Sequence, residues 1–261
     1  MIDWVIFASM TSLIQLCGRF VVELEGKRLE AALPGHQGRL LFGYLALNRE
    51  RAIPRTELVA AVWPDELPRN PADVFAALLS KVRAAVGGSC LQGRSELRLA
   101  LPPDTEIDVH RALSAVHAAE SACSRRDWAR AWSASLTSRF VAERRLLGDY
   151  EAPWIDEWRR TLEDVLGRSL HCYATASLGL GGAELAAAER AARELVRLAP
   201  LRERGHALLM EVLEARGEVV EALLVYEMLR RRLRDEVGVA PSEALQAIHR
   251  RLLGTSAASL H

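Results

Sequence analysis

The sequence predicts a mainly helical chain in two parts, a small α+β unit followed by an all-α array, and three observations carry that reading. Short apolar–polar alternations punctuated by glycine fill the first part of the chain. The paired prolines of "LPPDTEID" (101–108) then mark a boundary. Beyond them the pattern is helical almost to the end, and two helices open at Gly182 and Gly217, 35 residues apart.

The elements follow in order. "SLIQLCG" and "FVVELEG" alternate and end in Gly18 and Gly26, so they read as strands with turns, the first beginning near Leu13. "GRLLFGYLALN" places Leu40, Leu41, Tyr44, Leu45 and Leu47 on one side of a helix that stops at Asn48. "PRTELVAAVWP" gives a second helix with Leu58, Val59, Val62 and Trp63 inward, ended by Pro64. "NPADVFAALLSKVRAAVG" (70–87) gives the third. Asn70 suits its N-cap, Pro71 its first position, and Asp73 complements the helix dipole. At about 100° per residue, Val74, Phe75, Leu78, Leu79, Val82, Ala85 and Val86 share one arc. The opposite arc holds Asp73, Ala76, Ala77, Ser80, Arg83 and Ala84, with Lys81 at its edge. "CLQGRSELRLAL" closes the region as a hairpin with its turn near Gly93–Ser95.

Strands, three short helices and a terminal hairpin are the parts of a winged helix-turn-helix, expected at residues 11–102. An all-α, tetratricopeptide-like repeat domain is expected at 103–253. There, "RDWARAW", "GAELAAA" and "GEVVEAL" each place a turn before an alanine-faced helix. The 35-residue spacing is close to the roughly 34 of a tetratricopeptide pair. A longer helix at "APWIDEWRRTLEDVLGRSLHCYATASL" makes the array irregular. Such arrays form curved bodies that contact other macromolecules. Residues 1–10 read as an N-terminal extension, with Met10 as an alternative start, and 254–261 as a flexible tail.

Composition excludes several classes. Half the residues are hydrophobic, and 34 basic residues balance 34 acidic ones. That zero net charge argues against an unfocused polybasic binder. Cys17, Cys90, Cys123 and Cys172 lack any C-x-x-C pair and read as free thiols in a reducing cytoplasm. "MIDWVIFASMTSLIQLCG" has Asp3 where a signal peptide needs positive charge, and Gln15 and Arg19 interrupt it short of a membrane span. The chain therefore reads as cytoplasmic, with no membrane partner. "GLGG" (179–182) has Glu184 where a dinucleotide fingerprint needs glycine, and no G-K-[ST] or G-x-S-x-G occurs. His110 and His117 lack a third ligand, and the carboxylates around Trp154 and Trp158 read as a helix start. The sequence shows no active site, and no enzyme activity, metal or cofactor is expected.

The third helix is the candidate for reading double-stranded DNA. Its small outward residues, Ala77 among them, permit approach to a major groove. Arg83 suits guanine or a phosphate, Lys81 a phosphate and Ser80 either, whereas Asp73 suits cytosine but repels the backbone. Arg94 at the hairpin tip, and Arg51 and Arg55 by the second helix, are candidate phosphate or minor-groove contacts. The same smooth arc also suits packing on another helix, so the pattern leaves both roles open. Residues 1–100 hold 12 basic and 10 acidic residues, a net of +2. Because affinity scales with phosphates neutralised, one copy should bind weakly and lose affinity quickly with salt.

Two stretches carry a family likeness. They are "ELVAAVWPDELPRNPADVFAALLSKVRAAVG" and "APLRERGHALLMEVLEARGEVVEALLVYEMLRRRLRDEVGVAPSEALQAIHRRLL", with P-L-R-E at 200–203 and E-x-G-x-x-P-S-x-x-L at 236–245. From about 11 to 253 the chain resembles the Streptomyces antibiotic regulatory protein (SARP) family of transcriptional activators. The resemblance implies an OmpR-type winged helix followed by a bacterial transcriptional activator domain. It implies pathway-specific control of biosynthetic genes, with two protomers on direct repeats near the promoter and RNA polymerase as partner. It also implies that the loop before the third helix, with Pro64, Asp65, Glu66 and Arg69, contacts polymerase. The chain resembles short members without an ATPase module or a receiver domain. Where members commonly carry S-R-L-R-R, this chain has Ser80-Lys81-Val82-Arg83-Ala84, and Glu96-Leu97 stand where a Gly-Tyr is common. Both departures reduce DNA-facing capacity, so the alternative is a diverged protein-interaction regulator whose winged helix no longer binds DNA alone.

Overall fold

Leu13–Gln15 (β1) and Val21–Leu24 (β2) pair antiparallel, with Ile14 opposite Val22. Glu25 and Gly26, both at positive φ (49° and 76°), then turn the chain tightly into Lys27–Arg28 (β3). That geometry matches the twist of flanking strands. A fourth strand, Glu106–Ile107 (β7), adds in parallel to β1, giving the order β3-β2-β1-β7. These belong to a computed structural model that describes residues 12–258, so the expected extension at 1–10 lies outside the described residues.

Three helices follow the first strands: Gly35–Leu47 (α1), Arg55–Val62 (α2) and Pro71–Val86 (α3). Asn48 caps the end of α1, and Trp63 closes α2 just before Pro64. Helix α1 is buried almost all round, Phe42 and Gly43 included, rather than on the one side predicted. The cause is packing on two sides: α2 and α3 cover one, while Leu147 and Trp154 reach Gly43 from another. Asn70 occupies the N-cap of α3 but makes no side-chain cap bond to the backbone; its amide donates to the Asp73 carboxylate instead. The closing hairpin is Leu91–Gln92 (β5) with Glu96–Leu99 (β6), and Ile53–Pro54 (β4) joins it in the order β4-β6-β5.

The rest is helical: Asp108–Ser124 (α4), Trp128–Ala142 (α5), Pro153–Leu180 (α6), Leu185–Leu198 (α7), Glu203–Ala215 (α8), Val219–Glu236 (α9) and Glu243–Ala258 (α10). Helix α10 runs through Gly254 into the stretch expected as a tail. A glycine there costs only about 1 kcal/mol relative to alanine, and Ala257 and Ala258 favour continuation.

The chain forms two compact units, and their division is not linear in sequence. Among the described residues, one holds the chain to Arg111 together with Val141–Leu162; the other holds Ala112–Phe140 and the chain from Glu163 onward. In the first, the buried Asp108 carboxylate accepts from the amides of Leu16, Cys17 and Val109 at 2.8–3.0 Å. The Leu147 amide donates to the Leu16 carbonyl, and Trp154 Nε1 donates to the Ala61 carbonyl at 3.0 Å. In the second, α8 buries Leu208, Leu209, Met210, Val212 and Leu213. Small residues let its neighbours close in: Ala188, Ala191 and Ala192 of α7 and Ala222 of α9 are fully buried. Gly179 passes so close to the Trp128 indole that a Cβ there would sit 2.5 Å from it. The 179–182 glycines thus make a helix-to-helix turn, with Gly181 and Gly182 at positive φ.

Candidate nucleic-acid interface

The periodicity of α3 decides which side chains leave the core. Phe75, Leu79, Val82 and Val86 are buried beneath it, with Leu78 and Ala85 half-buried. Asp73, Ala76, Ala77, Ser80, Lys81 and Ala84 are exposed, so the outward arc read from the sequence faces solvent here. Val74 departs from its expected arc and is 40 % exposed.

Arg83 does something the helix projection does not show. Its Nε donates to the Leu91 carbonyl at 3.3 Å, and a terminal nitrogen donates to the Gly93 carbonyl at 2.5 Å. The guanidinium therefore fixes the hairpin against the helix. Gly93 itself is required by the turn: its φ is 95°, and a Cβ would lie 1.9 Å from the Glu96 carbonyl oxygen. The hairpin is held from its other side as well, where the Arg55 amide donates to the Ser95 carbonyl. The Arg55 guanidinium lies 5.3 Å from the centroid of the Phe75 ring.

Arg51 is engaged too. Both its terminal nitrogens donate to the Glu57 carboxylate, and the Tyr44 hydroxyl donates to the same carboxylate at 2.6 Å. Arg51's hydrogen bonds hold the Glu57 carboxyl below its ordinary range, while burial and then Glu57 push the Tyr44 phenol up. Arg94 is exposed near the hairpin tip. The loop ahead of α3 exposes Pro64, Asp65, Glu66 and Arg69, together with Leu67 at 55 %.

Arg98 was absent from the sequence candidates although its signal was present. Leu97 and Leu99 on either side are buried, so the two-residue period of a strand sends Arg98 outward beside Glu96. The partners of Arg51 and Arg83 had no such signal, because backbone carbonyls and a carboxylate six residues away leave no periodic trace. Among the described residues, no group of three or more His, Cys, Asp or Glu is gathered for a metal. No helix among them is long and apolar enough to cross a membrane.

The chain is similar to known proteins in sequence and in fold. The model of the family described as bacterial transcriptional activator domain matches residues 107–253. The regulatory protein AfsR of Streptomyces coelicolor is 30 % identical over 248 residues, 88 % of this chain and 23 % of that protein. AfsR of Streptomyces griseus is 28 % identical over 219 residues, 83 % and 22 % of the two. The chain thus spans less than a quarter of the length of these relatives. EmbR of Mycobacterium tuberculosis, solved in complex with a low affinity phosphopeptide, matches with a TM-score of 0.81 at 19 % identity. That match covers 94 % of this chain and 65 % of EmbR, and it is a likeness of fold. With the family model matching more than half of its residues, the chain belongs to the bacterial transcriptional activator domain family, in the SARP group of regulators.

Proposed function

We propose that the chain is a sequence-specific DNA-binding transcriptional activator of a biosynthetic gene cluster. Two protomers read direct repeats near a promoter, each through α3, with residues 11–102 as the reading head and 103–253 as the activator domain. Ser80 and Lys81 face the groove, Asp73 and Ala77 line the approach, and Arg94 reaches the flanking backbone. Pro64, Asp65, Glu66 and Arg69 meet RNA polymerase. The observation that supports this reading best is the exposed arc of Ala76, Ala77, Ser80, Lys81 and Ala84, flanked by a hairpin that Arg83 pins in place.

Selection from a random duplex library at low and then moderate salt tests it. Two copies of one motif in direct orientation are expected, and the Lys81→Ala/Arg83→Ala double variant should lose specific binding while remaining folded. Full affinity in that variant overturns the assignment of α3.

One observation favours a second reading, a regulator that acts through a protein partner. Arg51, Arg55 and Arg83 are engaged with Glu57, the Phe75 ring and hairpin carbonyls, which leaves Lys81 as the cation on the exposed arc of α3 among the described residues. A stoichiometric protein partner, with no enrichment of any DNA sequence, would establish it.

A further inference from the structure

The helical unit contains a cavity of about 580 Å³ walled by α5, α6, α7, α8 and α9. That volume falls within the size class of small-molecule sites. Four arginines line it, Arg139, Arg190, Arg193 and Arg197, against a single carboxylate, Glu194. In a chain of zero net charge this is a marked local excess of positive charge. Its source is spacing: Arg190, Arg193 and Arg197 follow one another at i, i+3 and i+7 along one face of α7.

The arginines differ in what they already hold. Glu194 accepts from Arg139 at 2.9 Å, and Arg193 is bonded to Glu189 and Glu221. Arg190 and Arg197 are exposed, and their guanidiniums form no ion pair with another described residue. Beside them the wall is apolar and aromatic, from Tyr173, Val225 and Met228. The Arg139 guanidinium already lies 5.6 Å from the centroid of the Tyr173 ring.

A second observation points to a ligand. His206 lines the same cavity and is only 4 % exposed. Its Nε2 sits 3.0 Å from the Pro200 carbonyl oxygen, which only accepts, so Nε2 carries the proton. Burial holds the imidazole below its ordinary range, so the ring is neutral and Nδ1 is an acceptor. That Nδ1 is buried and has no hydrogen-bond partner. A buried polar atom left unsatisfied is costly, and a hydroxyl or N–H would relieve it.

We infer that this cavity binds a small ring-bearing organic acid that also carries a hydroxyl or N–H donor. Its carboxylate pairs with Arg190 and Arg197, its ring lies on Tyr173, Val225 and Met228, and its donor meets Nδ1 of His206. The site is separate from the DNA-reading face proposed above and does not depend on it.

Four probes separate the parts of this recognition when titrated into the full chain and followed by calorimetry and the Met228 methyl resonance. 4-Hydroxyphenylacetate carries acid, ring and hydroxyl; phenylacetate lacks the hydroxyl; tyramine lacks the acid; inorganic phosphate supplies charge alone. The expected result is that 4-hydroxyphenylacetate binds at least tenfold more tightly than the other three and shifts Met228. The Arg190→Ala/Arg197→Ala variant, changed only at exposed side chains and checked for fold by circular dichroism, should weaken it at least tenfold. Absence of binding by all four probes overturns the inference, as does equal affinity for phosphate or retained affinity in the variant. Preferential binding of a glutamate-rich peptide instead would make the cavity a protein-docking site and equally overturn it.

Discussion

Replacing Arg83 by alanine distinguishes a residue that reads a base from one that positions the hairpin. The guanidinium donates to Leu91 at 3.3 Å and to Gly93 at 2.5 Å. Hydrogen bonds from a charged donor contribute about 1.5–3 kcal/mol each when sheltered. Here Gly93 is exposed and the Leu91 contact is long, so the pair together contributes about 1–3 kcal/mol. The loss should fall locally, on the pairs Leu91–Leu99 and Gln92–Arg98, rather than on the whole unit. Amide exchange in β5 and β6 should therefore accelerate roughly 5- to 150-fold, while amides in α1 keep their protection. On DNA, Arg83→Ala should weaken binding evenly across a panel of singly substituted sites. Lys81→Ala, which removes the phosphate contact proposed for it, should instead lower the slope of affinity against salt by about 0.9. Fluorescence anisotropy over that panel and over a salt series reads both. Unchanged hairpin exchange, together with relaxed preference at one base pair, would refute the positioning role and restore Arg83 as a base reader.

Other perturbations have equally definite outcomes. Gly93→Ala must place a Cβ 1.9 Å from the Glu96 carbonyl at a φ of 95°, so a loss of about 2 kcal/mol or more is expected; an unshifted thermal midpoint would contradict it. Asp108→Asn turns an amide group toward donors that need a second oxygen, and chemical denaturation should show a cost of about 2–4 kcal/mol. Burial, followed by the charge on Arg204, pushes the His171 imidazole down to about 4, and burial also lowers His110 and His206. These rings stay neutral in the fold but take up protons sooner when unfolded. Stability is therefore complete above about pH 6.5 and is lost as pH falls toward 4, with His171 alone accounting for at most about 2 kcal/mol at pH 5. Urea midpoints that stay level between pH 7 and 4.5 would overturn this.

Order and periodicity made much of the architecture legible. The three helices of the winged helix, the hairpin turn at Gly93 and the helices opening after Gly182 and Gly217 are all local signals, and the structure has them. What stayed hidden is non-local. The strands β4 and β7 have two residues each, too short for alternation to register, and exist only because β6 and β1 offer edges. For the candidate interface, the sequence separated exposed from buried positions on α3 well, because period 3.6 is a property of the helix alone. It could not say that Arg83 turns toward Leu91 and Gly93, since a guanidinium has many rotamers and its carbonyl partners carry no side-chain signature. The arginine cavity was invisible for a similar reason. Its lining comes from five helices between Arg139 and Met228, and nothing in the spacing of those residues announces that they converge.

The linear boundary suggested by Pro102 and Pro103 is best understood through the hydrogen bonds of β1. A strand presents donors and acceptors along both edges, and any that are buried must be met. Strand β2 satisfies one edge of β1 from close by in sequence. The other is satisfied from far away: β7 pairs with Leu13 and Ile14, Asp108 accepts from Leu16 and Cys17, and Leu147 donates to the Leu16 carbonyl. Leu16 and Cys17 are fully buried, so water is no substitute for these partners. Arg159 in turn donates to the carbonyls of Leu146, Leu147 and Tyr150, which holds the returning segment in the shape that brings Leu147 to β1. The family match begins at residue 107, whereas the folded unit that presents α3 runs past that point to Arg111 and draws on Val141–Leu162 as well. A folded unit that borrows its last strand and its buried acceptor from the neighbouring sequence module cannot be cut at the prolines without leaving Leu16 and Cys17 unpaired in the core.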